Sequence, residues 1–76
     1  MTRLEKKMGF TYTKLASYLC CENCYKHYVM ALAPLDTILD VKHLHDAIMH
    51  RTQRKRLPAK VQHLFDKKFE KIGETL

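Results

Sequence analysis

The sequence predicts a small all-α domain, a bundle of three to four short helices. Leucine, lysine, alanine, methionine and glutamate, which favour helices, are common among its 76 residues. Only two glycines and two prolines are present, too few for the frequent turns of a sheet of short strands. Apolar residues also recur at spacings of three and four, the period of an amphipathic helix. We therefore expect a single helical domain spanning residues 1–76.

The first half of the chain contains two apolar stripes that are out of phase. Residues 1–9 are mostly polar and are expected to form a short flexible arm. A first helix is predicted over residues 10–19, and its stripe consists of Tyr12, Leu15, Ala16 and Leu19. The next apolar set lies on the opposite side of the same helical cylinder and consists of Cys21, Cys24, Tyr25, Tyr28 and Leu32. A bend near residues 20–23 followed by a second helix explains this change, and one long helix buried on both sides is the alternative.

The second half of the chain predicts two further helices. Pro34 ends the preceding helix, because the residue before a proline avoids the α conformation, and Asp36 or Thr37 can cap the next one. The apolar face of that third helix consists of Ile38, Val41, Leu44, His45 and Ile48. The fourth helix has Pro58 at its first position and Gly73 as its stop. The expected core consists of Leu15, Leu19, Tyr28, Val41, Leu44, Ile48, Leu64, Phe65 and Phe69.

The net charge and the cysteine content limit the classes of binding partner and the cellular locations that we expect. The formal net charge is +6, which favours an anionic partner: nucleic acid, an anionic membrane or an acidic protein face. No apolar run approaches the roughly 20 residues that span a bilayer, so no membrane span is expected. Three cysteines within five residues cannot form a secreted disulfide framework. The expected location is the cytoplasm, or the nucleus if the source is eukaryotic or viral.

A basic run, "RTQRKRLPAK" at residues 51–60, is the strongest candidate for a binding site. No acidic residue occurs between Asp46 and Asp66, and arginine binds phosphate through two parallel hydrogen bonds. The predicted phosphate contacts are Arg51, Arg54, Lys55, Arg56 and Lys60. The alternative interpretation of residues 51–57 is a soluble basic linker or helix end.

The segment "YTKLASYLCCENCYKHYVM" resembles part of a helix-turn-helix unit, a DNA-binding motif. The resemblance rests on Ala16, on Leu19 three positions later and on the phase break that follows. It implies a recognition helix at about residues 23–32, with Asn23, Lys26 and His27 reaching a DNA groove. Two positions depart from the motif: Cys20 replaces the usual glycine of the turn, and Lys26 occupies a position that is usually buried and β-branched. A duplex-reading regulator of this kind is expected to be a two-fold dimer.

The cysteines also suggest a metal site. Cys21 and Cys24 have Cys-x-x-Cys spacing with His27 three residues later, and His43 or His45 could complete a tetrahedral zinc site. The chain has no second Cys-x-x-Cys pair, and free cysteines are commonly small core residues. We therefore expect no cofactor and keep zinc as an alternative.

The sequence contains no recognisable catalytic apparatus. It has no glycine-rich phosphate loop and no paired carboxylates at useful spacing, and no strand precedes the Cys-x-x-Cys pair as redox enzymes require. Tyr18 lies off both stripes and is expected to be free to contact a partner. The predicted function is a non-enzymatic regulator that binds DNA or RNA, for example in transcription. The alternative is a small modulator or inhibitor, of the phage, virus or plasmid accessory type, that docks on an acidic face of a larger protein.

Overall fold

The computed structural model describes residues 2–19 and 25–75, the last of these by its backbone alone. These residues form five helices and no strand, which confirms the all-α prediction. The helices are α1 (Arg3–Met8), α2 (Tyr12–Ser17), α3 (Tyr25–Leu32), α4 (Ile38–Thr52) and α5 (Ala59–Thr75). The fifth helix, beyond the three or four expected, is α1.

Residues 3–8, expected to belong to a flexible arm, form a helix that packs into the core. The Glu5 amide donates a hydrogen bond to Thr2 Oγ1 (3.2 Å), and the Thr2 amide donates one to the Glu5 carboxylate (2.8 Å). This reciprocal pair is a capping box, which satisfies two amides at the helix start. Leu4 and Met8 are buried, so their spacing of four gives α1 an apolar face despite its polar composition.

The Glu5 carboxylate also joins α1 to α2. Its second oxygen accepts a hydrogen bond from the Tyr12 amide at 2.8 Å, and the residue is only 8% exposed. The backbone N–H of Thr2, and then that of Tyr12, hold the pKa of Glu5 below its ordinary value, because both stabilise the charged form.

Replacing Glu5 with glutamine is expected to destabilise the protein at neutral pH but much less in acid. The pKa of Glu5 is lowered by folding, so its stabilisation is fully present above the ordinary value of 4.5. It is lost as the pH falls through the folded-state pKa. Urea unfolding of parent and E5Q at neutral and acid pH measures the effect, with the exposed Glu70→Gln as control. A destabilisation of the same size at both pH values would contradict the prediction.

Two separate helices, α2 and α3, occupy the region for which a bend was predicted. Thr11 Oγ1 caps α2 by accepting a hydrogen bond from the Lys14 amide at 3.1 Å. The predicted bend at residues 20–23 and all three cysteines lie outside the described residues. Tyr28 and Leu32 on α3 are buried as predicted. Tyr25 is 37% exposed, so its assignment to the buried face is wrong; it stands in the first turn of α3, three residues before Tyr28.

Thr37, one of the two predicted caps, begins α4. Its Oγ1 accepts a hydrogen bond from the Asp40 amide at 3.2 Å. The buried positions Val41, Leu44 and Ile48 follow the predicted stripe. Ile38 is largely exposed, contrary to prediction, because it lies in the first turn, beyond the part of α4 that is covered.

The longest helix, α5, begins immediately after Pro58, close to the predicted start. It continues through Gly73 to Thr75, so the prediction of a stop at Gly73 is wrong. A glycine inside a helix costs only about 1 kcal/mol, and the backbone of Gly73 does not adopt the left-handed conformation of a helix end. Val61, Phe65 and Ile72 are the buried residues of its stripe.

The helices share one hydrophobic cluster. The central helix α4 packs against α2 and α5, while α3 packs against α5 and contacts α1. Six of the nine predicted core residues are buried; Leu19, Leu64 and Phe69 are partly buried and pack against them. Nine further buried residues are absent from that list, although Tyr12 and Leu32 among them lie on the predicted apolar stripes: Leu4, Met8, Tyr12, Ala31, Leu32, Leu35, Leu57, Val61 and Ile72. None of the described helices is both long enough and apolar enough to cross a membrane.

Candidate nucleic-acid interface

The middle of the basic run, residues 53–57, is called the basic segment below. It begins where α4 ends in a tight turn. Gln53 has φ 54° and ψ 31°, the left-handed conformation that usually favours glycine. Its amide donates to the His50 carbonyl and the Arg54 amide donates to the Met49 carbonyl, both at 3.3 Å. This pair of bonds is the Schellman arrangement, which satisfies carbonyls that the helix end leaves open. The chain therefore leaves the helix axis in a defined direction just before Arg54.

A buried leucine holds the other end of the basic segment. Leu57 is only 4% exposed, and the Pro58 carbonyl next to it accepts a hydrogen bond from the Gln62 amide at 2.9 Å. No role was predicted for Leu57, although a single apolar residue after three basic ones could have indicated a buried anchor. The segment is thus fixed at both ends.

Three cations project from this fixed segment. Arg54, Lys55 and Arg56 are all exposed, and none forms an ion pair with a carboxylate among residues 2–19 and 25–75. Lys60 is exposed in the first turn of α5, so positive charge continues past Pro58. The charges of Arg54, Lys55 and Arg56 are therefore not neutralised by an ion pair within the described residues.

Arg51 lies apart from these three residues and contacts α2. Its Nη1 donates a hydrogen bond to Thr13 Oγ1 at 2.9 Å, and its Cζ lies 5.7 Å from the centre of the Tyr12 ring. It borders an open groove of about 660 Å³ between α2 and α4, together with His43 and His50. The guanidinium retains further N–H donors, and the residue is exposed, so it can still bind an anion at this groove.

The other two predicted contacts, Lys26 and His27, lie on α3. Lys26 is exposed, but His27 is half-buried, and its ring stacks on Tyr18 with centroids 4.0 Å apart. Phe10 meets both rings edge-on, at 6.3 Å from Tyr18 and 5.9 Å from His27. The expectation that Tyr18 is free is therefore wrong: it packs within the protein. His27 Nδ1 is buried and has no hydrogen-bond partner among residues 2–19 and 25–75.

The packing of the helices gives the helix-turn-helix resemblance no support. In that motif the two helices pack against each other, whereas here α2 packs mainly against α4 and α3 mainly against α5. Asn23, the third residue that the resemblance assigned to a groove, lies outside the described residues.

The histidines proposed as zinc ligands have different surroundings. His45 lies between α4 and α5, where its Nε2 is 2.9 Å from Gln62 Oε1 and its ring meets Phe65 edge-on at 5.1 Å. His43 packs against the Tyr12 ring at 5.8 Å. Within the described part of the chain no three metal-binding side chains cluster, and Cys21 and Cys24 lie outside it. The zinc alternative stays a prediction.

Comparison with known proteins yields no family model, no characterised protein and no solved structure that matches this chain. A function must therefore be argued from the chemistry of its own surfaces.

Proposed function

We propose that this protein is a non-enzymatic nucleic-acid-binding regulator whose phosphate contacts come from the basic run, residues 51–60. The observation that carries the proposal is that Arg54, Lys55 and Arg56 are exposed, without a carboxylate partner among the described residues, on a segment fixed at both ends. Arg51 and Lys60 extend the charge on either side. The cytoplasm, or the nucleus, is the compartment this function requires.

Fixed cations bind a polyanion better than mobile ones. Ordering a long side chain at an interface costs about 0.5–1.5 kcal/mol, and a backbone that is already in place reduces the further cost of ordering the loop. Each phosphate that is neutralised also releases condensed counterions, which makes the affinity strongly dependent on salt. Arg54 and Arg56 offer the two-pronged donors that match a phosphate group.

Contacts to bases could come from two residues of α3, Lys26 and His27. Lys26 is exposed on α3 and can reach a partner, but His27 is engaged with Tyr18 and would have to rotate away first. We therefore propose phosphate binding as the main source of affinity, with DNA and RNA both as candidate ligands. A two-fold dimer, with a mass near twice 9.0 kDa, is expected if the ligand is duplex DNA.

The test is the salt dependence of binding to duplex and single-stranded oligonucleotides of DNA and RNA. In a variant with Arg54, Lys55 and Arg56 all changed to glutamine, the slope of log affinity against log salt should fall by about two to three units. Each lost phosphate contact accounts for about 0.7–0.9 of a unit. Fluorescence anisotropy with labelled oligonucleotides provides the measurement.

The matched control removes the same charge elsewhere. Changing Lys67, Lys68 and Lys71 to glutamine also lowers the net charge by three, but these residues lie two to three turns further along α5. Equal loss of slope in both triple variants would show that binding reflects overall charge rather than this segment. Absence of salt-dependent binding by the parent protein would refute the function.

A further inference from the structure

A second surface, between α3 and α5, combines an apolar groove with positive charge. Its cavity has a volume of about 230 Å³, and the apolar lining comprises Val29, Leu32, Ala33 and Leu64. Leu32 is buried and Leu64 is half-buried, so they form its floor. Val29 is 44% exposed, and Met30, the next residue of α3 but not part of this lining, is 59% exposed. Large apolar side chains left in water next to a groove are typical of interaction sites.

Three lysines form the rim of this groove on the α5 side. Lys67, Lys68 and Lys71 line the same cavity, and Leu64, Lys68 and Lys71 lie at helical spacings that place them on one face of α5. Within the described part of the chain none of the three forms an ion pair, and Glu70, on the same helix, does not reach them. The rim therefore carries positive charge that no ion pair within the described residues neutralises, and Asp36 acts on Lys68 only from a longer distance.

The close spacing of these three lysines is expected to destabilise the folded protein when no partner is bound. Lysines at i and i+4, and at i and i+3, repel each other on a helix. Burial, and then the charge of Lys71, lower the pKa of Lys68, while Asp36 opposes this shift. A local cost with no structural benefit is expected where a surface is kept for binding.

We propose that the α3–α5 groove binds an acidic amphipathic helix of another protein. Apolar side chains on one face of that helix, at spacings of three, four and seven, would fill the groove beside Val29 and Leu64. Carboxylates along its edge would pair with Lys67, Lys68 and Lys71. This is the helix-in-groove mode of recognition, with exposed Met30 as an adaptable apolar contact. The proposal is independent of nucleic-acid binding and leaves the basic segment free for it.

Charge argues against a second copy of this chain as the occupant. Counting acidic and basic residues, none of the helices α1 to α5 carries a net negative charge, so a partner helix from another copy would not neutralise the lysines. Shape argues against a lipid surface, because the apolar floor is recessed between two helices, whereas a membrane is bound by apolar side chains that protrude.

The test uses a designed, fluorescein-labelled helical peptide with leucines at those spacings and glutamates on both flanks. A scrambled peptide of the same composition lacks the apolar face. We expect the parent to bind the designed peptide and to bind the scrambled one about tenfold more weakly. The changes Lys67→Gln, Lys68→Gln and Lys71→Gln together should weaken binding by about tenfold, as three exposed ion pairs would. The double change Val29→Ser and Met30→Ser should weaken it similarly.

Two matched variants keep the test specific to this groove. The triple change at Arg54, Lys55 and Arg56 removes equal charge and should leave peptide affinity nearly unchanged. Leu39→Ser removes an exposed apolar side chain from α4, where Leu39 is 78% exposed, and should also have no effect. All of the altered groove residues are at or near the surface, and circular dichroism checks that each variant is folded.

Three results would overturn the proposal. The first is failure to bind the designed peptide, or equal binding of the scrambled peptide. The second is binding to phosphatidylserine vesicles that depends on Val29 and Met30 while the peptide does not bind. The third is a dimer of the parent chain that the Val29 and Met30 changes dissociate, since the groove would then be an interface between copies. Failure of oligonucleotide binding would leave this proposal intact.

Discussion

Replacing Phe65 with alanine is expected to remove a large part of the protein's stability. Phe65 is completely buried, and its ring packs edge-on against His45 at 5.1 Å and near Tyr28 at 6.3 Å. Removing a buried phenylalanine costs about 3–5 kcal/mol. A chain of 76 residues has about 4–11 kcal/mol of stability in total. The expected loss is therefore a large fraction of the total free energy of unfolding.

Urea unfolding followed by circular dichroism measures this effect, and Phe69→Ala is the matched control. Phe69 is half-buried on the same helix, so the same chemical change should cost clearly less. A cost for F65A no larger than that for F69A would show that α5 does not contribute the centre of the core. Such a result would contradict the packing of α4 against α5.

Replacing Leu57 with alanine is expected to weaken nucleic-acid binding without removing any charge. The buried side chain holds the end of the basic segment next to Arg56, and its truncation should destabilise the protein by about 2 kcal/mol or more. Arg54, Lys55 and Arg56 would then be ordered only on binding. Fixing the backbone of even one residue costs about 1–2 kcal/mol, so we expect about a tenfold loss of affinity.

The slope of affinity against salt distinguishes this effect from loss of contacts. It should be unchanged in L57A, because the number of phosphates neutralised is the same. Leu35→Ala is the control: Leu35 is also buried, but it lies between α3 and α4, away from the basic segment. It should lose similar stability and keep full affinity, with both variants measured at a temperature where they are folded. Equal affinities for L57A and L35A would mean that the fixed backbone contributes nothing.

Periodicity predicted most of the fold because the apolar stripes are set locally. The positions of Leu15, Val41, Leu44 and Phe65 in the core follow from spacings of three and four alone. Burial at the ends of the helices does not follow from spacing, which is why Ile38 and Tyr25 were assigned to the wrong side. It depends on where a neighbouring helix stops covering the surface, and that is a tertiary property.

Residues 3–8 and Gly73 show a second limit of prediction from sequence, which concerns where helices form and where they end. Composition suggested an arm for a segment in which only Leu4 and Met8 are strongly apolar, but a capping box and two buried side chains are enough for a short helix. Glycine was read as a stop at Gly73, whereas the left-handed helix end of α4 is formed by a glutamine, Gln53. Local preference identifies candidates for such ends, and packing selects among them.

The sequence was sufficient to predict the charge of the candidate site but not the contacts between its residues. The absence of acidic residues around Arg54, Lys55 and Arg56 is visible in the sequence. The contact of Arg51 with Thr13 joins residues 38 positions apart, and no local pattern indicates it. The groove beside Lys68 was missed for the same reason: most of its apolar residues lie on α3 or just after it, whereas its charges lie on α5.

The carboxylate of Glu5 makes the start of the chain respond as one unit. It holds amide hydrogens of Thr2 and Tyr12, ten residues apart, through its two oxygens. α1 therefore cannot detach while the first turn of α2 keeps that bond, and detachment of α1 exposes the amide of Tyr12. In hydrogen–deuterium exchange, the amide of Tyr12 should exchange at the rate at which α1 opens, although Tyr12 belongs to a different helix.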